Sequence, residues 1–306
     1  MGTPFVALLQ PTQLVSGYKL GIPHDEQPAN VPKLFCDAME VREAVFVKEQ
    51  GVPAENEFDA DDSRSCHWVT YASINRIVEK AVVDSDNNIV SPQRSVTKSV
   101  PIGTIRVVPF PHDPHPKDGG VYYDGKLIGI KDETTSVPEI IKKHEAQNGQ
   151  PKKNGSASAG EHVGEDVPVS RPRPYISDRS TELHDGKEPY VKLGRLAVIQ
   201  EFRGHRIAVI LVKAALEWLK KNPGYFNPSI KELGLEAIGV DPEDPIIPKW
   251  NGLVCVHAQK QVVGLWEKLG FKVDEGMGTW WEEGIEHKGM FLRMDTQVQL
   301  IPSSQF

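Results

Sequence analysis

LGRLAVIQEFRGHRIAVILVKAALEWL, residues 193–219, is the stretch on which the fold turns. A β-like apolar run stops at Ile199. A charged turn with one glycine follows at 201–206, and a long apolar helix comes next. A strand feeding a short turn into a helix leaves a ring of unpaired N–H groups at the helix mouth, on the positive end of the helix dipole. Such a mouth binds phosphate. Arg203 and Arg206 would add charge-assisted hydrogen bonds, and Gly204 would let the backbone approach an anion closely. The turn is not a nucleotide P-loop, because no Gly-Lys-Ser/Thr follows. The plain alternative is that the arginines decorate an exposed turn.

Working outward, hydrophobic residues make up 39% and charged residues 25% of the 306, a globular composition with room for a polar insert. The formal net charge of −7 disfavours general nucleic-acid binding and leaves a local basic pocket possible. Cys36, Cys66 and Cys255 stand far apart without a CxxC, which argues against structural zinc or a disulfide framework. A reducing compartment follows: cytoplasmic, with the nucleus left open. The N-terminus lacks the basic and apolar regions of a signal peptide, and Val6 stands where a myristoylation signal needs Ser or Thr. No apolar run reaches the ~18 residues of a membrane span.

The pattern predicts strands over 14–20, 67–73, 77–83, 101–109, 190–199 and 253–258, with closing strands at 271–273 and 289–294. It predicts helices over 31–50, 203–221 and 259–269, the last closed by Gly270. Asp124-Gly125 marks a hairpin within 121–130. From 131 to 185 apolar residues become sparse, too few to offset ordering entropy. We read this stretch as a mostly disordered insertion within a single domain spanning 1–306. The fold class is α/β, with a mixed sheet.

The opening stretch resembles the acyl-CoA-binding segment of the GCN5-related N-acetyltransferases (GNAT), whose pattern is strand, Arg/Gln-x-x-Gly-x-Gly/Ala, helix. Arg203, Arg206 and Ala208 take those places, with Arg206 where the family usually has Gly. LVCVHAQKQVVGLWEKLGF (253–271) is similar to the family's next strand and helix. MEVREAVFVKEQGVPAENEFDADDSRSCHW (39–68), the HAQ at 257–259 and EEGIEHKGM (282–290) resemble the ElaA-like branch. The resemblance covers about 31–110 and 189–294.

It implies a GNAT fold with two splayed parallel strands, 190–199 and 253–258, that admit the pantetheine arm of acetyl-CoA as cosubstrate, with no metal. Leu196, Ala197 and Val198 would pair with the arm, and the N–H groups of Arg203, Gly204, His205, Arg206, Ile207 and Ala208 would hold the pyrophosphate. Gln259 stands at the family's cofactor-contacting Asn. An amine would attack the thioester directly in a ternary complex, with the Val198 N–H stabilising the oxyanion. Trp266 occupies the position where the family often has an acidic Tyr, and an indole N–H is no acid near neutral pH. Tyr190 is a substitute; His257 and His287 are further proton-transfer candidates, or core histidines.

Arg42, Glu57, Asp59, Asp62 and His67 form the substrate-side set, since an acidic cluster attracts a cationic amine. The alternative for each is a capped loop, a solvated helix face or a strand-edge group. EF-hand calcium is excluded by the spacing. The implied activity is N-acetylation of a small-molecule amine, with no nucleic-acid or membrane partner. A non-catalytic CoA-binding scaffold and a protein N-acetyltransferase stay open beside it.

Overall fold

The computed structural model describes residues 5–80, 82–83, 89–148, 176–228 and 248–296. Strand β1 (Phe5–Leu9) is followed by a 3-10 turn at Gln13–Gly17 and helix α1 (Lys33–Arg42), which runs on as a π-helix over Glu43–Glu49. Next come β2 (Cys66–Glu79), β3 (Val82–Val83), β4 (Ile89–Ser91), β5 (Arg94–Val108), β6 (Gly120–Tyr123), β7 (Lys126–Ile130) and α2 (Val137–Asn148). Then follow β8 (Tyr190–Val198), α3 (Ile207–Lys221), β9 (Leu253–Gln259), α4 (Val263–Lys268), β10 (Lys272–Val273), β11 (Thr279–Glu282) and β12 (Ile285–Arg293).

Contacts divide the chain, read as one domain from sequence, into two compact units. The first holds 1–57, 66–106 and 195–215; the second holds 58–65, 107–194 and 216–306. In the first, the strand order is β1-β2-β5 and then the end of β8. Val41 and Val45 of the opening helix pack on Ala197, with Phe46 and Ile199 beside them. At Gly103 of β5 an added Cβ would lie 3.0 Å from Ile207 and 3.1 Å from Leu211, so the glycine lets α3 sit close on the strand.

In the second unit the order is β8-β9-β12-β11-β6-β7, with β10 also on β12. β8–β9 and β11–β6 pair parallel; β9–β12, β11–β12 and β6–β7 pair antiparallel. The expected mixed sheet is therefore present. Its core gathers Tyr190, Leu253, Cys255, Met277, Trp280 and Phe291.

Several boundaries differ from the periodicity. Residues 14–20 hold no strand: their Leu, Val and Gly fall in the 3-10 turn, and the first strand is β1. The two short strands expected over 67–83 are one long β2 with a separate β3: β1 pairs with β2 only as far as Tyr71, and β5 lies beside it farther on, where Thr97 donates to the polar Asn75. Helix α3 begins at Ile207, four residues after the predicted start, because Gly204 and Arg206 take left-handed backbone. Strand β11 was missed; its Trp-Trp-Glu sequence has no clean alternation. Asp124 and Gly125 both take positive φ, 52° and 67°, as a type I′ hairpin turn needs. Within the expected insertion, 137–148 is the helix α2 and 176–185 is a hydrogen-bonded loop; 149–175 lie outside the described residues.

Candidate functional site

Strand β8 is in parallel register with β9 from Tyr190↔Leu253 to Leu193↔Val256. Two residues past that last pair, Arg195 takes φ 51°. A non-glycine residue in left-handed backbone within a strand marks a bulge, which bends the strand and interrupts pairing. Arg195 is held there by an ion pair to Glu57, 3.1 Å, while Arg42 donates to the same carboxylate oxygen at 2.6 Å. Arg42 and Glu57 are both buried, and Arg42 also donates to the Glu57 carbonyl. Glu57 therefore answers two internal arginines, and the expectation that Arg42 and Glu57 face an amine gives way to a buried ionic lock beneath the bulge. His67 is likewise core, 1% exposed, with its ring edge-on to Phe35.

Beyond the bulge, β8 ends at Val198 and the chain turns. Gly204 has φ 81° and Arg206 has φ 62°. The family's usual Gly at the second place is explained: the backbone there is left-handed, which glycine adopts freely and arginine only with strain. The Arg203 N–H is already bonded to the Gln200 carbonyl. The first helical bond runs from the Ile210 N–H to the Arg206 carbonyl, so Ile207, Ala208 and Val209 have no carbonyl partner for their amides within α3. Of the amides the pattern assigns to an anion, that of Arg203 is therefore already taken by the chain itself. A Cβ on Gly204 would meet nothing within 4 Å, which leaves open space over the turn.

The Arg203 guanidinium forks onto Glu49 at 2.7 and 2.6 Å and donates to the Val198 carbonyl at 3.0 Å. Its hydrogen bonds hold the Glu49 carboxyl below its usual range. Glu49 ends the π-helix, an element frequent at functional sites. His205 donates from Nδ1 to the Arg203 carbonyl at 3.0 Å and is exposed.

The second unit carries a separate group on one face of β9, β12 and β11. His257 lies opposite Gly289 and His287 opposite Gln259, while Trp280 pairs with His287. With side chains alternating at period two, His257, Gln259, His287, Trp280 and Glu282 share a face. His257 Nδ1 is 3.0 Å from Glu282 Oε1, and Trp280 Nε1 donates to that oxygen at 2.7 Å. The His257 and Trp280 rings meet edge-on, 4.8 Å apart. Burial, then the charge of Lys192, lowers the His257 pKa to about 4, against the pull of Glu282. Burial raises the Glu282 pKa, but His287, His257 and Lys192 outweigh it and hold the carboxyl well below its usual range. His287 Nδ1 donates to the Ile285 carbonyl at 2.8 Å, so Nδ1 carries the proton. Of the residues on this face the sequence singles out His257, Gln259 and His287 but not Glu282, whose only local signal is its i+2 spacing from Trp280.

The other expected residues fall elsewhere. Tyr190 sits at the opposite end of β8 from Val198, 7% exposed, in a ring cluster with His112, His115, His184 and Phe291. A phenol in that cluster does not reach the Val198 end of its own strand. Trp266 is buried against Phe271, centroids 5.1 Å apart, and acts as packing. Asp59 and Asp62 secure their own loop: Asp62 accepts from the Asp59 N–H at 3.1 Å, and Asp59 accepts from the Asp61 N–H at 2.9 Å. Asp61 pairs with Arg64, which ties the loop to the Pro109 and Pro111 carbonyls. The acidic cluster is a set of turn and ion-pair contacts. Gln259 accepts from Gln261 at 2.8 Å. Among the described residues no group of three His, Cys, Asp or Glu is placed to hold a metal ion, and no helix is long and apolar enough to cross a membrane.

Residues 173–238 match the acetyltransferase (GNAT) family. No curated protein matches the chain. Among solved structures, Escherichia coli ElaA is similar at 14% identity and TM-score 0.36, covering 94% of this chain and 99% of its own. An acyl-CoA N-acyltransferase from Pseudomonas aeruginosa gives 12% and 0.39, covering 94% and 99%. Arabidopsis thaliana NAA60 in complex with acetyl-CoA gives 8% and 0.33, covering 94% and 98%. At such scores these likenesses carry no argument; the family match stands on β8, the turn and α3. By that segment, residues 173–238, the chain is similar to the acetyltransferase (GNAT) family.

Proposed function

We propose that the protein transfers an acetyl group from acetyl-CoA to the primary amine of a small molecule. The observation that supports this most is the open helix mouth at 204–209, with Gly204 and Arg206 left-handed and the first amides of α3 without helical partners. A diphosphate suits that mouth in charge and in hydrogen-bonding sense. Leu196, Ala197 and Val198, past the bulge at Arg195, offer backbone groups to the pantetheine arm, and the Val198 N–H is the donor for the oxyanion. Arg203 is already turned to the Val198 carbonyl, so it serves the phosphates only by leaving Glu49 or sharing its fork.

The amine nitrogen attacks the thioester carbonyl carbon. The C–N bond forms, the C–S bond breaks, and the sulfur leaves with the electron pair. One proton must pass from nitrogen to a base and finally to the sulfur or to water. The amine attacks in its neutral form, and water can take the acidic proton of the tetrahedral intermediate. The acidic residues first read as amine-binding are spent on their own loop and on Arg42, so the acceptor is set by other groups.

Titration calorimetry with acetyl-CoA tests binding, and thiol release across an amine panel tests turnover. Binding with release for at least one amine supports the reading. Binding without release for any amine replaces it with a CoA-binding scaffold.

A further inference from the structure

We infer that Glu49 is a built-in rival of the CoA diphosphate: it competes for the fork of Arg203 and so sets how tightly the cofactor is held. The inference rests on the acyl-CoA reading and deepens it, and every residue it uses lies in the first compact unit. A guanidinium has two edges on which paired N–H groups grip two oxygens, one across its terminal nitrogens and one along the Nε side. Arg203 has both in use. Its terminal nitrogens donate to the two Glu49 oxygens at 2.7 and 2.6 Å, and Nε donates to the Val198 carbonyl at 3.0 Å. A phosphate that shared the arginine would find only single N–H groups and would lie against the Glu49 carboxylate, like charge on like. The bidentate contact is the stronger one, and across the terminal nitrogens it opens only when Glu49 is displaced.

The helix does little to keep Glu49 in place. Glu49 closes the π-helix Glu43–Glu49, and a carboxylate at the C-terminal end of a helix stands on the negative end of the dipole. Its ionised form is favoured chiefly by the Arg203 hydrogen bonds. Both side chains reach solvent, 39% exposed for Glu49 and 42% for Arg203, so the pair is screened and exchangeable. Glu201 also acts on Arg203, through charge alone. The Nε bond to Val198 keeps the guanidinium at the strand end, and Gly204, the next residue, leaves open space over the turn. The exchange also runs backwards. As CoA departs, Glu49 takes the fork again and lowers the cost of release.

Calorimetry with acetyl-CoA on the full chain tests this through a double-mutant cycle. Glu49→Gln, neutral and close in shape, should tighten acetyl-CoA binding by about 3- to 10-fold, the value of an exposed bidentate pair. S-acetylpantetheine, which lacks the diphosphate, should bind both chains equally. In an Arg203→Ala background Glu49→Gln should leave the acetyl-CoA Kd unchanged, because the rivalry needs the arginine. Glu49→Ala should repeat the tightening, and urea melts identify the variants that fold. Tightening that persists without Arg203 would make Glu49 a plain repulsive charge and overturn the assignment. An unchanged or weakened Kd in folded Glu49→Gln also overturns it, and leaves the acyl-CoA reading standing. No binding of acetyl-CoA to the wild type or to Glu49→Gln sinks the acyl-CoA reading itself, and the inference with it.

Discussion

The turn at 203–208 and the His257–Glu282 face are assembled in opposite ways. The turn is local: six consecutive residues carry its two left-handed positions, its arginines and its helix mouth. The face is non-local: His257, Trp280, Glu282 and His287 come from three strands and meet only through register. The turn tolerates strain, since Arg206 sits where glycine belongs, and its arginine is already paired to Glu49. The face tolerates none, because a slip of one residue in β11 would send Trp280 and Glu282 to the other side of the sheet. A local turn can therefore vary in sequence and keep its shape, whereas a side-chain cluster built on register cannot.

The widest separation between the two regions is expected from His257→Ala. It should destabilise the fold by about 1–3 kcal/mol, through loss of a buried partner of Glu282, and leave the acetyl-CoA Kd unchanged, measured by urea melts and calorimetry. A loss in Kd would mean that the face itself binds cofactor.

Acid should act next, on His257 of the face and on the histidines beside Tyr190. The folded pKa values of His257 and His115 are near 4, mainly through burial, and burial puts His112 well below its usual value too. Unfolded histidines titrate near 6.5. Between those values the unfolded chain binds protons that the folded one refuses. Stability is present above about pH 6.5 and is lost as pH falls toward 4, by up to roughly 1.4 kcal/mol per pH unit for each histidine. Urea melts at pH 7, 6, 5 and 4 should show that decline; a flat profile would contradict it.

On the turn, Arg203→Ala should weaken acetyl-CoA binding by about 10- to 100-fold, the value of one or two charge-assisted hydrogen bonds, with the melt unchanged. An unchanged Kd would assign Arg203 to Glu49 alone. Smaller still, Arg206→Gly should stabilise the fold by about 1 kcal/mol by relieving left-handed backbone, read as a raised melting midpoint. Destabilisation would mean that the Arg206 side chain makes up the strain.

Legibility in the sequence followed the same division. The strand–turn–helix of 190–221 could be read because its cues lie within one window: apolar alternation, then Gly204 among charges, then a 3.6-residue repeat. The mixed sheet could be anticipated from it. The left-handed role of Arg206 could not, since arginine carries no turn signal. Nor could Glu282, which gains its meaning from a partner 25 residues away. The reverse error came from Glu57, Asp59 and Asp62: a run of carboxylates reads as a cation site, yet Arg42, Arg195 and the loop's own amides satisfy them. His67 reads as a strand-edge group and is core, because β1 covers β2.

The central claim is that the mouth of α3 grips the diphosphate of CoA. Calorimetry that compares acetyl-CoA with S-acetylpantetheine, which keeps the thioester arm and lacks the diphosphate, tests it most directly. The account predicts binding of acetyl-CoA at least about 100-fold tighter than of the truncated thioester, with the difference shrinking as salt is raised. Equal affinity for the two would contradict it.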